Sequence, residues 1–97
     1  VPNVKALYRM FSEATMFNQN LGGWDVSQVL NMEFMFSEVT LNFANYNALL
    51  SGWSSLQVQA NVKFDAGNST YTGGARFARA SLIEDFNWVI TDGGLAN

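Results

Sequence analysis

Apolar positions recur at helical spacing near the start of the chain, and the same pattern returns 25 residues later. The first apolar stripe falls at positions i, i+3, i+4 and i+7, and its members are Leu7, Met10, Phe11 and Ala14. The matching members of the second stripe are Met32, Met35, Phe36 and Val39. This spacing places apolar side chains on one face of a short helix. We predict two short helices whose stripes pack into the core rather than against a partner.

The repeat extends beyond the stripes, because residues 4–15 align with residues 29–40 and six of the twelve aligned pairs are identical. A fixed period of roughly 20 to 50 residues is typical of a solenoid, in which each unit is too small to bury its own apolar face. Residues 1–4 correspond to residues 26–29, so we expect the chain to begin partway through a repeat. An open N-terminal end of this kind suggests pairing with a second copy of the chain.

Two further segments predict helices. The apolar residues Tyr46, Leu49, Leu50 and Trp53 indicate a third helix over about residues 43–55. A fourth helix is predicted over residues 74–85. Its inward residues would be Ala75, Ala78 and Leu82, and its outward residues Arg76 and Arg79.

Short strands are predicted between these helices. The candidates are the pairs Trp24 and Val26, Val62 and Phe64, and Trp88 and Ile90. The last two pairs alternate as in a half-buried strand, and each is followed by an Asp-x-Gly turn. Residues 62–67 match residues 89–94 at a period of 27. Strands that follow helices at such a period suggest a parallel ladder with the helices on its opposite side.

The predicted fold is therefore α/β: a short, leucine-rich-repeat-like, right-handed solenoid of short parallel strands and helices. We expect one domain over residues 1–97. Residues 1–41 would hold repeats of about 25 residues, and residues 42–97 would form divergent C-terminal capping units. Terminal units of a solenoid are expected to be atypical because they close the core against water.

Composition narrows the possible functions. The chain has 97 residues, of which 48% are hydrophobic, enough for a core, and no apolar run approaches a membrane span. The net charge of −3 with only five basic residues argues against nucleic-acid binding. The absence of His and Cys excludes a Ser-His-Asp triad, a Cys nucleophile and thiolate metal sites.

The segment over residues 10–32, M-F-S-E-A-T-M-F-N-Q-N-L-G-G-W-D-V-S-Q-V-L-N-M, strongly resembles a known repeat. The repeat is that of the BspA-like leucine-rich-repeat family of bacterial surface proteins, also described as a mycoplasma lipoprotein domain of unknown function. Residues 44–94 resemble the segment that often ends such arrays. The resemblance implies a cell-surface or secreted bacterial protein, often an adhesin or interaction module, and no catalytic residues. The chain departs from the family in holding one full repeat and part of another, where members commonly carry many.

Three Asp residues near predicted turns are the main candidates for chemistry: Asp25, Asp65 and Asp92. Asp65 and Asp92 are expected to stack one repeat apart, which leaves open an acid pair or a calcium site. The favoured interpretation is that each carboxylate closes a turn by accepting backbone N–H groups. We therefore predict no catalytic, cofactor-binding or metal-binding residue and no cofactor.

Surface candidates are the positions that lie outside the apolar stripes. We expect Trp24, Trp53 and Trp88 to be buried, and Tyr8, Phe34 and Tyr71 to be better placed for contact. Phe34 occupies the position that Arg9 holds in the preceding repeat. The candidate interaction surface is Arg9, Glu13, Phe34 and Glu38.

The sequence thus favours a non-enzymatic module at the bacterial cell surface, or secreted, that binds a protein or a glycan. It predicts neither nucleic-acid binding nor membrane insertion. A structural capping or self-assembly element that forms homo-oligomers through the open N-terminal end is the alternative. A carboxylate-based hydrolase is a third and weaker one.

Overall fold

A computed structural model of the chain describes Phe11 and residues 18–95. The first predicted helix lies outside the described residues apart from Phe11. In chain order the elements are α1 (Phe43–Ser54), β1 (Lys63–Asp65), β2 (Thr70–Tyr71), a short 3-10 helix (Gly73–Ala75), α2 (Arg76–Phe86), β3 (Val89–Thr91) and β4 (Gly94–Leu95). Neither helix is long and apolar enough to cross a membrane, within the part of the chain that is described.

Both predicted helices of the second half are confirmed. Helix α1 begins after Asn42, whose side-chain oxygen accepts the Asn45 N–H at 2.8 Å and so caps the helix. Its buried residues are the predicted stripe, Tyr46, Leu49, Leu50 and Trp53. Helix α2 ends at Phe86 and is capped by Asn87, which has a φ of 58°, a left-handed conformation that Asn tolerates well.

The strands pair in parallel, as the sequence predicts. Strand β1 pairs with β3, strand β2 pairs with β4, and Met32 forms a parallel bridge to Phe64. In the register, Lys63 faces Val89 and Asp65 faces Thr91. The offset is therefore 26 residues, one less than the period read from the sequence, because the ladder pairs backbones whereas the alignment paired similar side chains.

Two local predictions are wrong. Residues 33–38 form turns rather than a helix, and Phe34 and Glu38 have φ values of 59° and 64°. These values are incompatible with a right-handed helix. The proposed strand at Trp24 and Val26 is also absent, because this segment turns. The second apolar stripe nevertheless packs in the core, with Met32, Met35, Phe36 and Val39 fully buried.

Backbone hydrogen bonds join each unit of the chain to the next. The Phe11 N–H donates to the Met35 carbonyl at 2.9 Å, and the Phe36 N–H donates to the Asp65 carbonyl at 3.1 Å. A third bond, 2.7 Å long, runs from the Ala66 N–H to the Thr91 carbonyl. The rings of Phe11 and Phe36, which occupy equivalent positions of the repeat, stack with centroids 5.4 Å apart and an interplanar angle of 7°.

Side-chain amides add a second set of connections between units. Asn18 Oδ1 accepts the Asn42 N–H at 3.0 Å. Asn47 donates to Thr72 Oγ1 at 2.7 Å and accepts the Thr72 N–H at 3.0 Å. The bonded residues are 24 or 25 positions apart, which is about one repeat. Asn18 and Asn47 thus provide partners for backbone N–H groups that lie outside the strand pairing.

The turn after β1 depends on Gly67. Its φ is 64°, and a Cβ at this position would lie 2.2 Å from the Val39 carbonyl oxygen and 2.3 Å from that of Phe36. No L side chain fits at these distances, since both obstacles are backbone atoms. The turn therefore packs directly on the preceding unit.

Gly67→Ala should lower the free energy of unfolding by roughly 2 kcal/mol or more, from backbone strain and the displaced carbonyl groups. Urea unfolding followed by the fluorescence of the buried Trp53 and Trp88 measures this effect. Gly23→Ala is the matched control, because a Cβ on Gly23 meets nothing within 4 Å. Equal stability of the two variants would contradict the close packing of this turn.

Candidate functional site

The outer face of the β1–β3 ladder carries a shallow groove made of two adjoining depressions, of about 230 and 240 Å³. Both depressions are lined by Glu33 and Lys63. The first also contains Phe34, Phe64, Asp65, Val89 and Thr91, and the second Leu30, Asn31 and Asn61. We call this set of residues the ladder groove.

Because the strands are pleated, alternate side chains face the core and the groove. Met32 and Phe64 point into the core, whereas Lys63, Val89 and Thr91 are exposed. Because Met32 bridges Phe64 and successive side chains alternate, the groove side chains fall into two cross-strand rows. One row holds Lys63 and Val89, and the other holds Asp65 and Thr91. Asn31 and Glu33, on either side of Met32, line the same groove.

Large apolar side chains are exposed along this groove. Leu30 is 66% exposed, Val89 59% and Phe34 42%, and these are three of the six large hydrophobic residues exposed in the described part of the chain. Exposed apolar surface bordered by charged groups is typical of an interaction site. The backbone of Phe34 also adopts a left-handed conformation that is costly for a bulky residue. Strain of this kind concentrates at functional positions.

The charged groups of the groove are not neutralised within it. Between residues 18 and 95 the single ion pair joins Arg79 to Asp92, away from Glu33, Lys63 and Asp65. Asp65 uses Oδ1 to accept the Gly67 N–H at 2.8 Å, which orients its carboxylate. Glu33, Lys63 and Asp65 all line the first depression.

The structure brings only part of the predicted interaction surface to this groove. Phe34 lies within it, and Glu38 is exposed in the same turn but outside the groove. Arg9 and Glu13 lie outside the described residues. The sequence reasoning missed Lys63 and Val89 as surface positions. The alternation of Lys63 between the inward Val62 and Phe64 was the available signal for the outward face.

All three candidate Asp residues close turns, as the favoured interpretation predicts. Asp25 Oδ1 accepts the Ser27 N–H at 3.0 Å and its hydroxyl at 2.6 Å, and these bonds hold the pKa of Asp25 below its usual value. Asp65 bonds the Gly67 N–H, and Asp92 Oδ1 accepts the Gly94 N–H at 2.9 Å. No three acidic side chains of the described segment come together as a metal site would require.

Asp92 does not stack on Asp65, which faces Thr91 instead. Its carboxylate accepts Arg79 Nε at 2.8 Å and Nη2 at 3.2 Å, and the Tyr46 hydroxyl donates to it at 2.5 Å. Two predictions are thereby corrected. Arg79 packs inward against this carboxylate, with its guanidinium 5.0 Å from the Tyr71 ring centre, and Tyr71 is buried rather than a surface contact.

This network raises the pKa values of Tyr46 and Arg79. Burial, followed by the hydrogen bond to Asp92, raises the pKa of Tyr46 well above its ordinary value of 10.0. Burial by itself lowers the pKa of Arg79, but the hydrogen bond and attraction of Asp92 outweigh it, so the Arg79 pKa is raised. The network thus connects α1, α2 and the turn that follows β3.

The family model described as "Mycoplasma protein of unknown function, DUF285" matches residues 1–72. No curated protein and no solved structure matches the chain. The matched residues include the 25-residue repeat, α1, β1 and β2, whereas α2, β3 and β4 follow the matched segment.

Tyr46→Phe should cost about 1 kcal/mol at neutral pH, because one hydrogen bond to a carboxylate is lost. A raised folded-state pKa means that the Tyr46 contribution is complete below pH 10 and declines above it, as the unfolded state ionises. The loss approaches about 1.4 kcal/mol per pH unit. Urea unfolding between neutral pH and about pH 11 should therefore show wild type approaching the variant. A constant stability difference across this range would contradict the network.

Glu38→Gly should raise the free energy of unfolding by about 0.5 kcal/mol, because glycine removes the cost of a left-handed backbone at an exposed side chain. Glu84→Gly, the same change within α2, should lower it by about 1 kcal/mol. Thermal and urea unfolding of the two variants would measure this difference in sign. Equal destabilisation would rule out the left-handed turn at residue 38.

Proposed function

This chain belongs to the family described as "Mycoplasma protein of unknown function, DUF285", and on that premise we propose that it is a non-enzymatic interaction module. We propose that it binds a partner, a protein in the first instance, through the ladder groove at the bacterial cell surface or in secreted form. The observation that carries this proposal is the exposure of Leu30, Phe34 and Val89 beside charged groups on one face.

The proposal extends to the architecture of the BspA-like leucine-rich-repeat family. Short parallel strands whose neighbours lie about one repeat away support a solenoid. The stacking of Phe11 on Phe36, equivalent positions 25 residues apart, supports it further. In a solenoid each unit contacts its neighbours, so the outer faces of successive strands merge into one continuous binding surface.

We propose that the module has no catalytic activity, because each candidate carboxylate already accepts a hydrogen bond from a backbone N–H. Asp25, Asp65 and Asp92 each accept a backbone N–H two residues ahead. Asp92 is further engaged by Arg79 and Tyr46. A hydrolytic pair would need two carboxylates facing each other across a substrate.

A structural capping or self-assembly role is the second candidate. Strands β3 and β4 each pair on one side only among the described residues, so each presents an open edge. Open edges are templates for strand pairing with another chain. Sedimentation at increasing concentration tests this candidate, since a mass that stays monomeric at high concentration excludes strong self-association.

Binding by the ladder groove should be lost when its apolar side chains are truncated. We expect a screen of extracellular-matrix proteins, cell-wall material and a glycan array to identify a ligand. Phe34→Ala and Leu30→Ala should weaken its binding about tenfold or more, because exposed apolar anchors dominate interface energy.

Phe77→Ala is the matched control, because Phe77 is 79% exposed on α2 and does not line the groove. Circular dichroism and urea unfolding would establish that the variants remain folded. The absence of any ligand, or equal binding by all three variants, would overturn the proposal.

A further inference from the structure

Asp92 and Gly93 form the single Asp-Gly pair of the chain, which contains no Asn-Gly pair. Glycine has no side chain to shield its nitrogen, so that nitrogen can attack the preceding carboxyl group. The Gly93 nitrogen bonds to Asp92 Cγ, and the carboxyl hydroxyl leaves as water together with the amide proton. Water then opens the cyclic imide at either carbonyl. Opening at the main-chain carbonyl gives isoaspartate, in which the main chain runs through Cγ.

Close packing requires this reactive pair. A Cβ on Gly93 would lie 2.6 Å from the Asn68 carbonyl oxygen, so no L side chain fits there. Asp92 is needed as well, because its carboxylate accepts the Gly94 N–H and the hydrogen bonds of Tyr46 and Arg79. Neither residue of the pair can therefore be exchanged without the loss of contacts that join separate units.

The folded chain holds both reacting groups in hydrogen bonds. The Gly93 N–H donates to the Ser69 carbonyl at 2.7 Å. Both carboxylate oxygens of Asp92 accept bonds, Oδ2 from Tyr46 and Arg79 and Oδ1 from Arg79. The Asp92 side chain is only 2% exposed. Ring closure removes one carboxyl oxygen and moves Cγ onto the nitrogen, so these bonds must break before the reaction can proceed.

We propose that Asp92 is a latent modification site. The network of Tyr46, Arg79 and Asp92, here called the Asp92 network, protects the site in the folded chain, and local opening of the turn after β3 exposes it to isomerisation. Isoaspartate has one more atom in its main chain, and its carboxylate lies one carbon closer to the main chain. The carboxylate then no longer reaches Tyr46 and Arg79, so the opened turn does not close again. This proposal is independent of the ladder groove.

The first test compares the formation of isoaspartate at residue 92 in the folded chain and in the same chain unfolded in urea. Proteolytic peptides from samples incubated at neutral pH are separated by chromatography, and fragment-ion mass spectrometry distinguishes the two isomers. The folded chain should react at least about tenfold more slowly, because only its open population is reactive. Equal rates in the two states would overturn the proposal.

The second test removes donors from the Asp92 network. Relative to folded wild type, isomerisation should be about fivefold faster in Tyr46→Phe and about tenfold or more faster in Arg79→Gln. Arg76→Gln is the matched control, because Arg76 is exposed on α2 and its guanidinium lies 5.8 Å from the Phe77 ring centre. Wild-type rates in both network variants would overturn the protective role of the network.

Val29→Ala separates local opening from a general loss of stability. Val29 is fully buried, so its truncation leaves a cavity in the core while Asp92 keeps its bonding partners. Circular dichroism would establish that the variants are folded, and if Arg79→Gln does not fold, Tyr46→Phe decides the test. Val29→Ala should isomerise at about the wild-type rate. An acceleration equal to that of the network variants would overturn the proposal, because opening would then be global.

Discussion

Hydrogen bonding between successive units is the constraint on which the rest of this structure depends. Strands of two or three residues cannot satisfy their own backbone groups or bury their own side chains. The N–H groups of Phe11, Phe36 and Ala66 each donate to a carbonyl of the following unit, and these bonds hold the units at ladder spacing. Once that spacing is set, equivalent aromatic rings stack and turn carbonyls approach Gly67 so closely that only glycine fits.

The hydrogen bonding between successive units determines both the core and the ladder groove. In each short strand the inward residue joins the core and its neighbours face outward, so Phe64 is buried while Lys63 stands in the groove. The contacts of Asp92 with Tyr46 and Arg79 join both helices to the turn after β3, so a partly buried ion pair adds to the apolar packing there.

The outer face of the ladder exposes apolar and charged side chains that suggest a functional role. Apolar side chains at Leu30 and Phe34 remain exposed, and Glu33, Lys63 and Asp65 line the groove without an ion pair to any described residue. Neither arrangement stabilises the isolated fold. Such arrangements are expected where a surface contacts a partner, and the ladder groove is the surface that we propose for that contact.

Periodicity by itself predicted the buried stripe of α1, where α1 and α2 lie, and that β1 and β3 run parallel. The Asp-x-Gly sequence predicted that Asp65 closes a turn. The spacing of apolar residues and the repeat can be recognised in a single sequence without knowledge of the fold. Only the tertiary structure decided the turn conformation of residues 33–38, the one-residue change of register and the inward position of Arg79. These features depend on contacts between units far apart in the chain. An apolar stripe in the sequence indicates which side chains face the core. The backbone conformation that places them there, and the groove on the outer face, depend on how neighbouring units stack.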